Sequence, residues 1–258
     1  MIKKFSFILQ SIACVWLAFG FSAPLSAGVV YLNSFQMFYS GGSGGGGATD
    51  PYFANVLLLL HCNGTNGGTT YPDTSTFART STAFNGASLS TTSPKFGTAA
   101  SSHDGVDDYV SVASSADWAF GTSTDFTIEF WLWADSSDST GCGIGQASGS
   151  YVVISSGVLY VGNGVANQCS YSYSGYYNQW THVAVSRTGS NIYLYLNGTM
   201  VNSGTNAAWG ANSTIYLMYS PVVGGFGKGK LDELRITKNV GRWGAGGFTV
   251  QSGEFPDS

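Results

Sequence analysis

Charge is scarce in this sequence. Asp, Glu, Lys and Arg together make up 9% of the 258 residues, against about a quarter in an average globular protein. Only ten are Lys or Arg, too few and too scattered for a phosphate-tracking surface, so nucleic-acid binding is excluded. The long-helix formers Glu, Lys, Arg and Gln are few, which argues against helical bundles, coiled coils and doubly wound α/β folds. After the first thirty or so positions no apolar run reaches the roughly 18 residues of a membrane span. Cysteine is sparse as well. The four residues form no Cys-x-x-Cys pair, so a zinc site has little support.

What remains is a chain of strand and turn formers. Apolar residues make up 43% and glycine 36 positions, enough for a core and for many turns. From Val56 onward short strands alternate with turn clusters at sandwich spacing. Val56–Cys62 is continuously apolar, which predicts a strand buried on both sides. Phe126, Ile128, Phe130 and Leu132 share one strand face; Thr127, Glu129, Trp131 and Trp133 share the other. Asp107–Ala113 alternates Tyr109 with Val110 and Val112. Two hairpins are expected around Gly157 and Thr188-Gly189-Ser190, and Asn197-Gly198 predicts a type I′ turn. Ile215–Tyr219 and Leu231–Thr237 are the last expected strands. The sequence holds no convincing helix and no internal repeat.

The N-terminus reads as a secretory signal. Lys3 and Lys4 precede an apolar run from Phe5 to about Phe21, and small residues lead to Ala27. Cleavage there removes residues 1–27 and takes the net charge from −4 to −6. A membrane anchor is the competing reading. Residues 28–51 hold a short apolar stretch and the Gly41–Gly47 tether. The domain proper is expected over 52–250, with 251–258 as a tail.

Cys14 departs with the signal. Cys142 and Cys169 lie in polar Gly/Ser-rich segments on either side of a hairpin, whereas Cys62 ends an apolar strand. In an exported protein this predicts a Cys142–Cys169 disulfide and a buried Cys62 thiol.

The segments LLLLHCNGTNGGTTYPDTS (57–75), SPKFGTAASSHDGVDDYVSV (93–112), TDFTIEFWLW (124–133), WTHVAVSRTGSNIYLYLNGT (180–199) and GKLDELRITKNVGRW (229–243) resemble, in order, the laminin-G-like jelly-roll family. That family lies within the concanavalin A-like lectin/glucanase superfamily. The resemblance implies an all-β, two-sheet antiparallel jelly-roll sandwich. The opening DPYFANVLLLL behind a glycine tether looks most like the branch common in phage tail and virion proteins, while the leader favours export by a cell. In relatives a last-strand Asp holds a structural calcium, which implies Asp232 here, completed near Asn63 and the Asp104-Gly105 turn. Asn63 stands where many relatives have Asp, and a strand-end cap accounts for Asp232 equally well.

Catalysis lacks its residues. Glycosidases need two carboxylates at defined separation. The strand that carries them in similar glucanases holds one here, Glu129, with Asp125 at the strand start. Glu129 is read as a strand residue hydrogen-bonded to neighbouring hydroxyls, His182 as a packed strand residue, and Arg187 and Arg235 as strand-edge charges. His61, His103 and His182 are far apart in sequence and accompany no nucleophile motif.

Ligand contact falls instead to Tyr171, Tyr173, Tyr176 and Tyr177 in CSYSYSGYY and to Trp209 in the polar loop 206–212. Such rings suit sugar faces or protein partners, or else they cover a sheet edge. Two classes of function follow. The first is a non-catalytic carbohydrate-binding or adhesion module, secreted or at the cell surface, whose partner is a polysaccharide or surface glycan. The second is a structural or protein–protein interaction domain, such as a virion component.

Overall fold

A computed structural model of the chain describes residues 49–137, 140–205 and 208–258. The expected signal (1–27), the apolar stretch from Val29 to Tyr39 and the Gly41–Gly47 tether lie outside the described residues.

Two antiparallel sheets carry the fold. One has eight strands: β1 (Val56–Leu60), β3 (Ser88–Ser90), β4 (Ala100–Asp104), β6 (Phe126–Ala134), β11 (Thr181–Thr188), β12 (Asn191–Leu196), β13 (Thr199–Thr205) and β17 (Lys228–Lys238). Their order is β13-β12-β11-β6-β17-β4-β3, with β1 also paired to β17. The other has seven: β2 (Ser81–Phe84), β5 (Tyr109–Val112), β7 (Gly143–Gln146), β8 (Tyr151–Ser155), β9 (Val158–Gly162), β10 (Asn167–Ser172) and β14 (Ile215–Leu217). These run β10-β9-β8-β7-β14-β5-β2. A small ribbon, β15 (Tyr219–Ser220) with β16 (Gly225–Phe226), completes the set. Helix is limited to two single 3₁₀ turns among the described residues.

The core forms where alternation places it. Phe126, Ile128, Phe130 and Leu132 of β6 meet Val110, Val112, Val152 and Ile154 of the facing sheet in one buried cluster. At about 1.5–3 kcal/mol for each large apolar side chain buried, this layer dominates stability. Asn197 and Gly198 both have positive φ, 49° and 76°, the geometry of a type I′ turn.

β1 is buried along its whole length, as its unbroken apolar run requires. Leu58 and Leu60 join the main core. Val56 and Leu59 form a second small cluster with Phe255. The segment 251–258, expected as a tail, thus packs on the outer side of the eight-stranded sheet. Asp50 N–H donates to the Ser258 carbonyl and Phe255 N–H to Glu233. Further along the same face, Trp243 stacks on Phe248, and the Phe248 ring lies 5.7 Å from that of His182.

The cysteine expectation is corrected. Cys62, Cys142 and Cys169 are all buried thiols, and no disulfide is present among the described residues. The hairpin between Cys142 and Cys169 is the reason. Its two strands, β8 and β9, lie inside the sheet between β7, which follows Cys142, and β10, which holds Cys169. At about 4.8 Å per strand the two positions stand roughly 14 Å apart, twice the Cα reach of a disulfide. Burial pushes the Cys169 thiol up to about 12.

Candidate functional site

The outer faces of the two sheets differ in kind. On the eight-stranded sheet, Glu129 and His182 lie on the face opposite the core and are buried. Arg235 Nη2 is 2.7 Å from Glu129 Oε1, and Arg235 Nη1 is 2.9 Å from Asp50 Oδ2. Arg242 closes on the same Asp50 at 2.6 Å. Burial opposes charge on Glu129, but Arg235, His182 and Arg242 outweigh it and hold the carboxyl at about 2. A carboxylate locked this way has neither the exposure nor the free proton of a general acid. His182 is 3.3 Å from Glu129 and belongs to the same network. The partners of Glu129 are thus Arg235 and His182, not the expected hydroxyls.

Two residues read as strand-edge charges are corrected here. Arg235 is buried in that network. Arg187 is fully buried, and its guanidinium donates to the carbonyls of Phe120, Gly121 and Thr124. Both serve as internal clamps, because each finds enough acceptors to offset desolvation.

The calcium trio does not converge. β4 is flanked by Thr98 near its start, bonded to Asn63, and by Gly105 at its far end. Five strand residues separate the two ends, more than about 13 Å. Both Asp232 oxygens accept backbone N–H groups, from Lys95 at 2.9 Å, Phe96 at 3.2 Å and Glu233 at 3.0 Å. Asn63 Oδ1 accepts from the Thr98 N–H and hydroxyl. Calcium needs six or more available oxygens, and this donor set does not supply them. Asp232 acts as a backbone cap, with burial pushing its carboxyl up to about 7.

A different cluster forms beside it. β17 carries a bulge at Asp232–Glu233, where Glu233 adopts φ 51° and the neighbouring strand changes from β4 to β1. Glu233 thereby meets His61 Nδ1 at 2.8 Å, and Asp257 meets His61 Nε2 at 2.8 Å. Burial lowers the His61 pKa, but the two carboxylates win and raise it to about 9. His61, Glu233 and Glu254 place ligand-type atoms within 4.8 Å of one another. Both His61 nitrogens are engaged by carboxylates, so the group works as an ionic latch for residues 254–257.

The aromatic ligand residues read from sequence divide. Trp209 is 3% exposed and stacks on Phe126 at 4.9 Å. Its loop composition is polar, but a bridge to Gly121 turns the ring inward: the Trp209 N–H donates to the Gly121 carbonyl, and the Trp209 carbonyl accepts from the Phe120 N–H. Tyr173 is fully buried, with the rings of Tyr176 and Tyr177 at 5.5 and 5.4 Å. Tyr176 and Tyr177 are partly buried against the core. Tyr171 alone stands clearly exposed, at 39%. Trp209 and Tyr173 are therefore core residues, because burial of a large ring gains more than a shallow surface contact.

Five rings that sequence reasoning left unassigned come together on the outer face of the seven-stranded sheet. Phe84 and Tyr109 stack at 4.7 Å, and Tyr219 and Phe226 stack at 4.5 Å. Tyr109 joins the pairs, 5.4 Å from Tyr219 and 5.6 Å from Tyr216. Phe84 is 39% exposed and the other four are half-buried. Alternation explains the first part: Val110, Val112, Ile215 and Leu217 fill the core, so Tyr109 and Tyr216 face out. A kink supplies the rest. Met218 has φ 59° and breaks the expected 215–219 strand, so Tyr219 starts a ribbon that folds back over the sheet. Gly145 makes room for it; a Cβ there would stand 2.8 Å from the Tyr219 carbonyl.

Two antiparallel sheets packed face to face make an all-β jelly-roll sandwich. The family profile described as the concanavalin A-like lectin/glucanases superfamily matches residues 104–240, just over half the chain, and the protein belongs to that superfamily. No curated sequence matches it. Among solved structures it is similar to the binding domain of Paraclostridial Mosquitocidal Protein 1, with TM-score 0.52 and 16% identity over 72% of this chain and 49% of that one. It is similar to domain 4 of AbnA, a GH43 extracellular arabinanase from Geobacillus stearothermophilus, in complex with arabinotriose, with TM-score 0.51, 16% identity, 71% and 92% coverage. A third is the binding domain of botulinum neurotoxin DC in complex with SialylT, with TM-score 0.52, 18% identity, 80% and 49% coverage. The chain spans about half the length of the two toxin domains. These likenesses show the fold.

Proposed function

We propose that this domain binds carbohydrate without cleaving it, as a module that works outside the cell or at a surface. The observation that carries the reading is the five-ring platform of Phe84, Tyr109, Tyr216, Tyr219 and Phe226. Rings of this kind offer rigid, amphipathic contact area for the C–H faces of sugars. Glu129 supports the non-catalytic half, since it is ionised, buried and paired, and β6 provides no second carboxylate at a hydrolytic separation. Solved structures of similar fold include a domain in complex with arabinotriose. Among the described residues no helix is long and apolar enough to cross a membrane.

An open platform gives weak single contacts, so useful attachment requires several copies acting together. The test is retention of soluble polysaccharides on densely immobilised protein, with reducing-sugar release measured in parallel. Retention of at least one glycan with no release is expected. Release that survives in Glu129→Gln would point to a catalytic centre elsewhere, and release lost in that variant would make the domain a hydrolase.

A further inference from the structure

The seven-stranded sheet has a property its partner lacks. None of its strands, nor the ribbon over it, contains a single Asp, Glu, Lys, Arg or His: they read STAF, YVSV, GIGQ, YVVIS, VLYVG, NQCSYS, IYL, YS and GF. Its outer face carries hydroxyls and rings. One row across four strands pairs Thr82 with Ser111, Ser111 with Tyr216 and Tyr216 with Gly145. Phe84 faces Tyr109 in the next row.

The rim adds negative charge, and the basic residue beside it is paired with an acid. Exposed Asp104 and Asp107 precede Tyr109. Lys228, the basic residue next to Phe226 in sequence, lies 3.6 Å from Asp135 and donates to Ser137. Recognition of carboxylate, sulfate or phosphate relies on guanidinium or ammonium donors. This face has none, and its acidic rim repels anions.

Resting on the carbohydrate-binding reading above, we infer that the platform takes the uncharged class of glycan: an internal stretch of a neutral polysaccharide, laid across the Phe84–Tyr109 and Tyr219–Phe226 pairs with its hydroxyls toward Thr82 and Ser111. Sialylated, uronic and sulfated chains are rejected. An open sheet face, rather than a closed pocket, admits the middle of a chain as readily as its end.

The experiment is affinity electrophoresis in gels that contain neutral polymers (arabinan, xylan, mannan, mixed-linkage glucan) or anionic ones (polygalacturonate, hyaluronate, a sulfated glycan). Wild-type protein is compared with Tyr219→Ala, Phe84→Ala and the off-platform Tyr171→Ala. Expected is retardation by at least one neutral polymer, unchanged at about 1 M salt, where charge attraction is screened. It should weaken about tenfold or more in Tyr219→Ala or Phe84→Ala and stay intact in Tyr171→Ala. Melting curves identify any variant that fails to fold, and Phe84→Ala, whose ring is 39% exposed, then decides. Retardation confined to anionic polymers overturns the neutral-glycan inference and leaves carbohydrate binding standing. Neutral binding that survives both platform variants moves the site elsewhere and also overturns it. Retardation by no polymer overturns both readings, and self-association abolished by Phe84→Ala would make a second copy the occupant.

Discussion

The two sheets obey one alternation rule and end in opposite states. Both bury one face in a shared core. The eight-stranded sheet then places Thr127, Glu129, Trp131 and His182 on its second face, and seals Trp131 under Lys95 and Phe96 and the others under residues 240–258. Thr127, for example, donates to the Val240 carbonyl and accepts from Arg242 N–H. The seven-stranded sheet carries no charge and leaves its second face to water. Charged strand residues here therefore mark the sealed face, and uncharged aromatic ones mark the open face. A polar second face is normally the solvated one; the covering segment reverses this by supplying Arg242 and Asp257 as ion-pair partners, the first together with Asp50.

The sharpest way to break the contrast is Glu129→Ala. It leaves Arg235 and Arg242 sharing Asp50 in a buried site, and removal of one partner from such a network costs about 3–5 kcal/mol. Urea unfolding should show that loss, and a change below about 1 kcal/mol would mean the network is solvated. Next in size is Phe255→Ala. The ring is 4% exposed against Val56 and Leu59, and Arg235 lies 4.0 Å from its centre. About 3 kcal/mol should be lost, with near-UV ellipticity changing as the covering segment lifts.

The latch gives a pH signature on the sealed face alone. His61 has its pKa raised to about 9 from 6.5, so its contribution is complete below pH 6.5 and is lost as pH rises through 9. The melting temperature should fall across that window in the wild type and lose this slope in His61→Gln. Equal slopes would show that the Glu233 and Asp257 contacts do not form. On the open face, Phe84→Ser should shift stability by only about 0.5 kcal/mol, since it is already 39% exposed. The smallest effect is expected from reductant. With no bridge between Cys142 and Cys169, dithiothreitol should leave melting unchanged, and an unfolded sample should titrate Cys62, Cys142 and Cys169 as thiols.

Much of the fold was legible because it depends on period-two patterning and local turn chemistry. The unbroken run of β1, the two faces of β6 and the Asn197-Gly198 turn follow from neighbouring residues alone. Burial of Trp209 did not, since its polar loop is turned inward by backbone bonds to a segment some ninety residues earlier. The disulfide expectation failed for a related reason. Spacing around a hairpin says nothing about whether its strands lie between the two cysteines in the sheet.

The sequence by itself determined the all-β sandwich, the poverty of charge, the lack of a hydrolytic carboxylate pair on β6 and the alternation of Tyr109 with Val110 and Val112. Those properties reside in composition and in alternation along one strand. Only the tertiary structure decided which face is open. The platform gathers rings from β2, β5, β14 and a ribbon reached through the left-handed kink at Met218, and the sealed face joins His61 to Asp257 and Asp50 to Arg242. Contacts between residues so distant along the chain carry no sequence period. They form because sheet pairing brings the strands together and because a buried charge is stable only where a partner reaches it.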